Sequence, residues 1–116
     1  WIGTLRHTEF RCLVPVTSFQ LWSHAADPRT GKRTAHRFTL PGAPVFAFAG
    51  IWRDSEVASF ALLTCAANAA LRAAGRDAMP VILPADRAAQ DLWLRGGWDR
   101  AQALLVPYSS SLMVET

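Results

Sequence analysis

Strand-like stretches fill the first half of the chain and helix-like ones the second. Residues 11–22 are rich in β-branched and aromatic side chains, which predicts a strand, and Pro15 within them predicts an edge position or a bulge. The result is a strand with an interruption. Residues 26–32 gather turn formers and charge before residues 36–40 resume a period-two pattern, so a hairpin with a long, basic, exposed loop is expected. Pro41-Gly42-Ala43-Pro44 marks another turn. Residues 45–52 then form a nearly continuous apolar run of strand length, which predicts a buried central strand. Residues 59–65 follow as a further strand beyond the charged turn 53–56, and together they suggest a meander.

Residues 66–74 are alanine-rich and favour helix, with Gly75 where a C-terminal cap belongs. Residues 79–84 read as a short strand hemmed by Pro80 and Pro84. Residues 85–94 read as a second helix ended by Gly96-Gly97, and residues 98–105 as a third with Asp99 near its start. Strands first and helices afterwards predict an α+β fold, a mostly antiparallel β core with helices in the C-terminal half. Internal repeats are absent, as are a glycine-rich phosphate loop, a dinucleotide fingerprint and a zinc-protease motif.

Composition narrows this little. With 116 residues, 51% of them hydrophobic and 18% charged, the chain can bury one core and lacks the bias of disorder. Its net charge of +3 comes from scattered basic residues, among them Arg29, Lys32, Arg33 and Arg37, and is compatible with nucleic acid without demanding it. No apolar run reaches the ~18 residues of a membrane helix, and no signal peptide opens the chain, which predicts a soluble cytoplasmic protein. It starts at Trp1 without an initiator methionine and reads as a fragment. Cys12 and Cys65 give no disulfide framework and read as buried, inert thiols. His7, His24 and His36 stand apart from one another and from carboxylates at useful spacing, so neither a zinc site, a triad nor any cofactor is expected.

Several ordered blocks resemble the SRAP family, the SOS-response-associated peptidases or abasic-site-processing proteins. That family carries an Arg-Cys-Leu-(Val/Ile)-Pro block ending in Phe-x-Glu-(Trp/Tyr); here it stands as Arg11-Cys12-Leu13-Val14-Pro15 and Phe19-Gln20-Leu21-Trp22. A Phe-Ala-Gly-(Ile/Leu)-Trp strand is matched by Phe48-Ala49-Gly50-Ile51-Trp52. A Leu-Thr-Thr-like strand is matched by Leu63-Thr64-Cys65, and a loop running into Met-Pro-Val-Ile-Leu by Met79-Pro80-Val81-Ile82-Leu83. The match spans the chain, and the ordered set is specific where no single block is.

The resemblance implies a β-rich core that binds single-stranded or abasic DNA. In the family a cysteine freed at the N-terminus by self-cleavage condenses, through its amine and thiol, with the sugar aldehyde of an abasic site, and a glutamate and a histidine move protons. This sequence departs from that pattern. Position 1 is Trp1, the motif glutamate aligns with Leu21, and the motif histidine falls on Gly75 or Arg76 according to how the loop is counted. No catalytic residue is expected to be intact, and the family's N-terminal strands and catalytic cysteine are missing from residues 1–116, a partial SRAP domain.

Trp22, Thr64 and Arg76 are the candidate DNA contacts by resemblance. Trp22 stacks a base or is a half-buried core indole; Thr64 meets the DNA backbone or is an ordinary strand threonine; Arg76 grips a phosphate or is a solvated residue beyond a helix. Trp52, Trp93 and Trp98 belong to the core in either reading. The expectation is a family member that does not cross-link abasic DNA, with a non-catalytic single-stranded-DNA-binding module or a decayed fragment as alternatives. The absent strands should leave an exposed edge that favours self-association.

Overall fold

The computed structural model describes residues 2–116, so the α-amine of Trp1 lies outside the described residues. In chain order the elements are α1 (Ile2–Leu5), β1 (Arg11–Val16), β2 (Phe19–Trp22), β3 (Ala35–Thr39), β4 (Phe46–Asp54), β5 (Ala58–Leu62), β6 (Thr64–Ala66), α2 (Ala69–Ala73), β7 (Ala78–Pro80), α3 (Arg87–Arg95), α4 (Trp98–Ala101) and β8 (Val114–Glu115). All strand pairings are antiparallel, in the orders β1-β4-β5, β2-β3-β8 and β6-β7. The fold is α+β, and apart from the four-residue α1 its helices lie in the C-terminal half.

The apolar run around β4 forms the centre because the pleat sends alternate side chains into two different clusters. Phe46 and Phe48 join Phe38, Leu71, Met79 and Ile82 on one side. Ala49 and Ile51 join Val81, Leu83 and Trp93 on the other. Phe19 knits the first cluster, stacking on Phe38 at 5.4 Å between ring centroids and meeting Phe48 edge-on at 5.5 Å. Gly50 passes close to β1: a Cβ there would stand 3.0 Å from both Cys12 Sγ and Val14 Cγ2, so these side chains would have to give way by a few tenths of an ångström.

Several elements differ from expectation. The predicted strand over 59–65 breaks at Leu63, whose N–H turns to the Ala49 carbonyl, so β5 and β6 belong to different sheets. The meander is therefore limited to the β4–β5 hairpin, with β1 on the other flank of β4. The alanine-rich helix is shorter than predicted because Ala66 pairs with Ala78 and Ala67 is buried; α2 begins only after Asn68, whose side-chain oxygen accepts the Leu71 N–H. The third helix stops at Ala101 and tightens into a 3-10 turn over Gln102–Leu104.

Arg11, first residue of the Arg-Cys-Leu block, is 4% exposed. Its Nε donates to the Leu5 carbonyl, and its Nη1 to those of Trp93 and Gly96. The guanidinium lies 5.2 Å from the Trp93 ring centroid and 5.8 Å from that of Trp98, a cation–π sandwich. Burial lowers its pKa from the ordinary value. This clamp joins β1 to the end of α1 and to the C-terminal end of α3, and Trp93 returns the contact by donating Nε1–H to the Cys12 carbonyl.

Candidate functional site

The β2–β3 hairpin carries the first group of site residues. In β2 the pleat alternates: Phe19 and Leu21 pack on the first cluster, while Gln20 and Trp22 turn outward. Trp22 is 53% exposed. Beyond it, Asp27 accepts the Arg29 N–H through its carboxylate, and Gly31 takes a positive φ of 69° to close an exposed loop bearing Arg29, Lys32 and Arg33.

The second group follows α2. Gly75 has φ 82°, the left-handed conformation of a helix C-terminal cap, which a side-chain-bearing residue adopts only with strain. The chain then reverses so that the Arg76 Nη1 donates to the Trp22 carbonyl at 3.0 Å, tying α2 to the hairpin. Between them opens a cleft of about 460 Å³, lined by His24, Ala66, Ala67, Arg72, Gly75, Arg76 and Asp77. Thr64 is exposed on the same face of β6 as Ala66. Of the three candidate DNA contacts, Arg76 lines this cleft; Trp22 is tied to it through the carbonyl that Arg76 grips, Thr64 lies two residues before its Ala66 wall, and Leu21 packs on the core.

The arginines of the cleft are held without being neutralised. Arg72 donates from Nη1 to the Ala67 carbonyl at 2.6 Å, and Arg76 to Trp22 as above. Among the described residues neither has a carboxylate at ion-pair distance, and the Arg76 Nε is buried with no acceptor. Planar guanidinium groups fixed at one corner present their remaining N–H donors in the geometry that phosphate oxygens accept.

His24 was missed by sequence reasoning. The expectation that the histidines stand apart from carboxylates fails in space: His24 Nε2 lies 3.9 Å from Asp77 Oδ1, His36 Nδ1 3.0 Å from Glu115 Oε1, and His7 Nδ1 3.6 Å from Glu9 Oε1. The first two pairs join residues far apart along the chain, brought together by the hairpin and by the β3–β8 pairing. Among the described residues no group of three or more His, Cys, Asp or Glu could hold a metal ion.

The remaining candidates are settled by packing. Trp93 is fully buried, but Trp98 is only half-buried, and Trp52 is 37% exposed on the open face of the β4–β5 hairpin, its Nε1–H donated to the Glu9 carbonyl. Trp52 is therefore not a core residue. Cys12 and Cys65 are free and half-buried rather than fully buried, and desolvation pushes both thiols above their ordinary pKa. No helix among the described residues is long and apolar enough to cross a membrane.

Solved structures share this architecture. A protein from Bacteroides thetaiotaomicron superposes with a TM-score of 0.77 at 22% identity, covering 97% of this chain and 50% of its own. A protein from Bordetella bronchiseptica gives 0.77 at 24%, covering 99% and 57%, and a phage-related protein from the same organism gives 0.72 at 21%, covering 100% and 55%. The chain therefore spans about half the length of these structural relatives, and at such identity the likeness is one of fold. A comparison with curated proteins gave no significant match. The family model of the SOS response associated peptidases (SRAP) matches residues 4–116, and the chain belongs to that family.

Proposed function

We propose that residues 1–116 are part of an SRAP domain that binds single-stranded DNA, abasic DNA included, across the cleft, and that this chain holds the DNA without cross-linking it. The observation that supports the reading is a cleft whose Arg72 and Arg76 have, among the described residues, no carboxylate at ion-pair distance, and whose Arg76 holds the carbonyl of the exposed Trp22. Trp22 offers a stacking surface for a base, Arg76 a fork for a phosphate, and Arg29, Lys32 and Arg33 on the hairpin an outer electrostatic track.

Covalent chemistry has poor support within these residues. A thiazolidine ring needs the amine and thiol of one terminal cysteine, and the Cys12 and Cys65 thiols belong to residues whose amines are peptide-bonded. Leu21 presents no carboxylate, and neither Gly75 nor Arg76 supplies an imidazole, groups whose proton transfers contribute ~10²–10⁴-fold each.

Two measurements on the 116-residue chain test the reading. Affinity for single-stranded DNA should fall with salt at a log–log slope of roughly −0.7 per phosphate neutralised. Absent or salt-independent binding refutes the DNA reading. On a denaturing gel after heating, abasic DNA should show no shifted band, even with Leu21→Glu and Arg76→His introduced together. A stable band refutes the non-covalent reading, and its loss on substituting Cys12 or Cys65 would identify the nucleophile.

A further inference from the structure

We propose that the free edge of β5 is an interface for a second copy of this chain, which adds its own β5 antiparallel about a two-fold axis at Phe60 and joins two three-stranded sheets into one. The inference is independent of the DNA reading.

Backbone pairing is the first argument. On its β5 side, strand β4 bonds through odd-numbered residues: the Ala49 carbonyl takes the Leu63 N–H and the Ala47 carbonyl the Leu83 N–H. Antiparallel ladders alternate, so in the β4–β5 register Ile51 bonds Ala61 and Arg53 bonds Ser59. The N–H and C=O groups of Ala58, Phe60 and Leu62 therefore point away from β4, and among the described residues no strand covers them. A second, antiparallel β5 satisfies all of them in one register, with Phe60 opposite Phe60 and Ala58 opposite Leu62 of the second copy. The other flank of the sheet is closed to such addition. There α3 packs on β1, Trp93 donates to the Cys12 carbonyl, and Pro15 has no N–H to offer.

Side chains are the second argument. Phe10 meets Trp52 edge-on at 5.9 Å, and Trp52 stands opposite Phe60 across β4 and β5. This aromatic row ends in the open, with Phe60 62% exposed. The axis continues it into the Phe60, Trp52 and Phe10 of the second copy, and it sets small Ala58 against larger Leu62. Charge is the third. Strand β5 is uncharged, and the two-fold sends the hairpin tips, with Arg53, Asp54 and Glu56, to opposite ends of the interface. Each tip then lies toward the uncharged residues 62–64 of the other copy, whereas parallel addition would set Glu56 beside Glu56. A strand of five residues from each copy buries less than the roughly 1,200 Å² of stable complexes, so the dimer is weak and concentration-dependent.

Sedimentation equilibrium of the 116-residue chain over a series reaching millimolar concentration should show the mass rising from 12.7 kDa toward twice that value. Phe60→Lys, which sets two ammonium groups face to face, should stay monomeric with its melting temperature retained. Disulfide cross-linking under a mild oxidant reads the register, with the parent chain setting the background from Cys12 and Cys65. Ala58→Cys and Leu62→Cys chains should cross-link when mixed, because a hydrogen-bonded pair stands ~5.5 Å apart between Cα atoms. Neither should cross-link alone, since each residue lies four positions, ~13 Å, from its own copy along the strand. Should Leu62→Cys fail to fold, Phe60→Cys, which meets itself on the axis, carries this arm. Association that Phe60→Lys leaves intact, or cross-linking as strong in the separate samples as in the mixture, overturns the inference. A monomer at every concentration also overturns it and leaves the edge to a strand of another polypeptide.

Discussion

Two sets of arginines with opposite fates organise this molecule. Arg11 sits in the interior, held by three carbonyls and sandwiched between two indoles. Arg72 and Arg76 sit at the rim of the cleft, each fixed by one carbonyl and otherwise uncommitted. Residue type is the same in both places. Arg11 spends its contacts on three main-chain carbonyls and two indoles and keeps only Nη2 without a partner, whereas Arg72 and Arg76 each make one side-chain hydrogen bond, and Trp22, whose carbonyl Arg76 grips, is more exposed than Trp93 or Trp98.

The largest effect expected from that contrast is on Arg11. Replacing it with alanine strands the Leu5, Trp93 and Gly96 carbonyls and leaves the two indoles without their filling, at a cost of about 3 kcal/mol or more. Thermal denaturation should show the melting temperature falling by more than ~10 °C. A fall of a degree or two would show that the clamp is dispensable. Trp22→Ala should behave in the reverse manner. It leaves the main-chain carbonyl that Arg76 grips, so stability should hold while affinity for single-stranded DNA drops by ~1–3 kcal/mol in a binding titration. Unchanged affinity would remove stacking from the picture.

A smaller effect concerns the open flank of the buried region. Strand β5 ends its sheet with Phe60 62% exposed and Val57 75% exposed, and Ala58–Leu62 contains neither charge nor proline to discourage pairing. Sedimentation should detect self-association that Phe60→Lys suppresses; a monomer at all concentrations would refute it.

The smallest effect is a titration. Desolvation raises both thiol pKa values in the folded state, so the unfolded chain loses these protons first as pH rises. The contribution is fully present below the ordinary thiol value of 9.0 and is lost as pH climbs through the raised folded values. Stability should decline across that window, and substituting both cysteines with alanine should flatten the decline.

Much of the fold was readable because the hydrophobic pattern was unambiguous. An apolar run from Phe46 to Ile51 has no polar face, so it had to be enclosed on both sides, and it is. The alanine-rich stretch was legible as a helix but its start was not, since alanine favours helix yet fits a strand such as β6, and the helix begins only after the Asn68 cap. The outward turn of Trp22 follows from its place one residue after inward-facing Leu21, a period-two signal present in the sequence but outweighed by the general tendency of tryptophan to be buried. His24 was different. Its nearness to Asp77 depends on how the hairpin docks on the loop after α2, and no local pattern encodes that docking. Likewise the break at Leu63 is made by its bond to Ala49, a partner chosen by tertiary structure.

One last consequence belongs to β4. Because this strand alternately feeds both clusters, neither half of the interior can open while the other stays closed. Amide protons of Ala47, Ala49 and their neighbours should therefore exchange with solvent only through global unfolding, while those of the hairpin loop exchange through local fluctuations. The rim of the cleft is thus free to adjust without loosening the strand behind it.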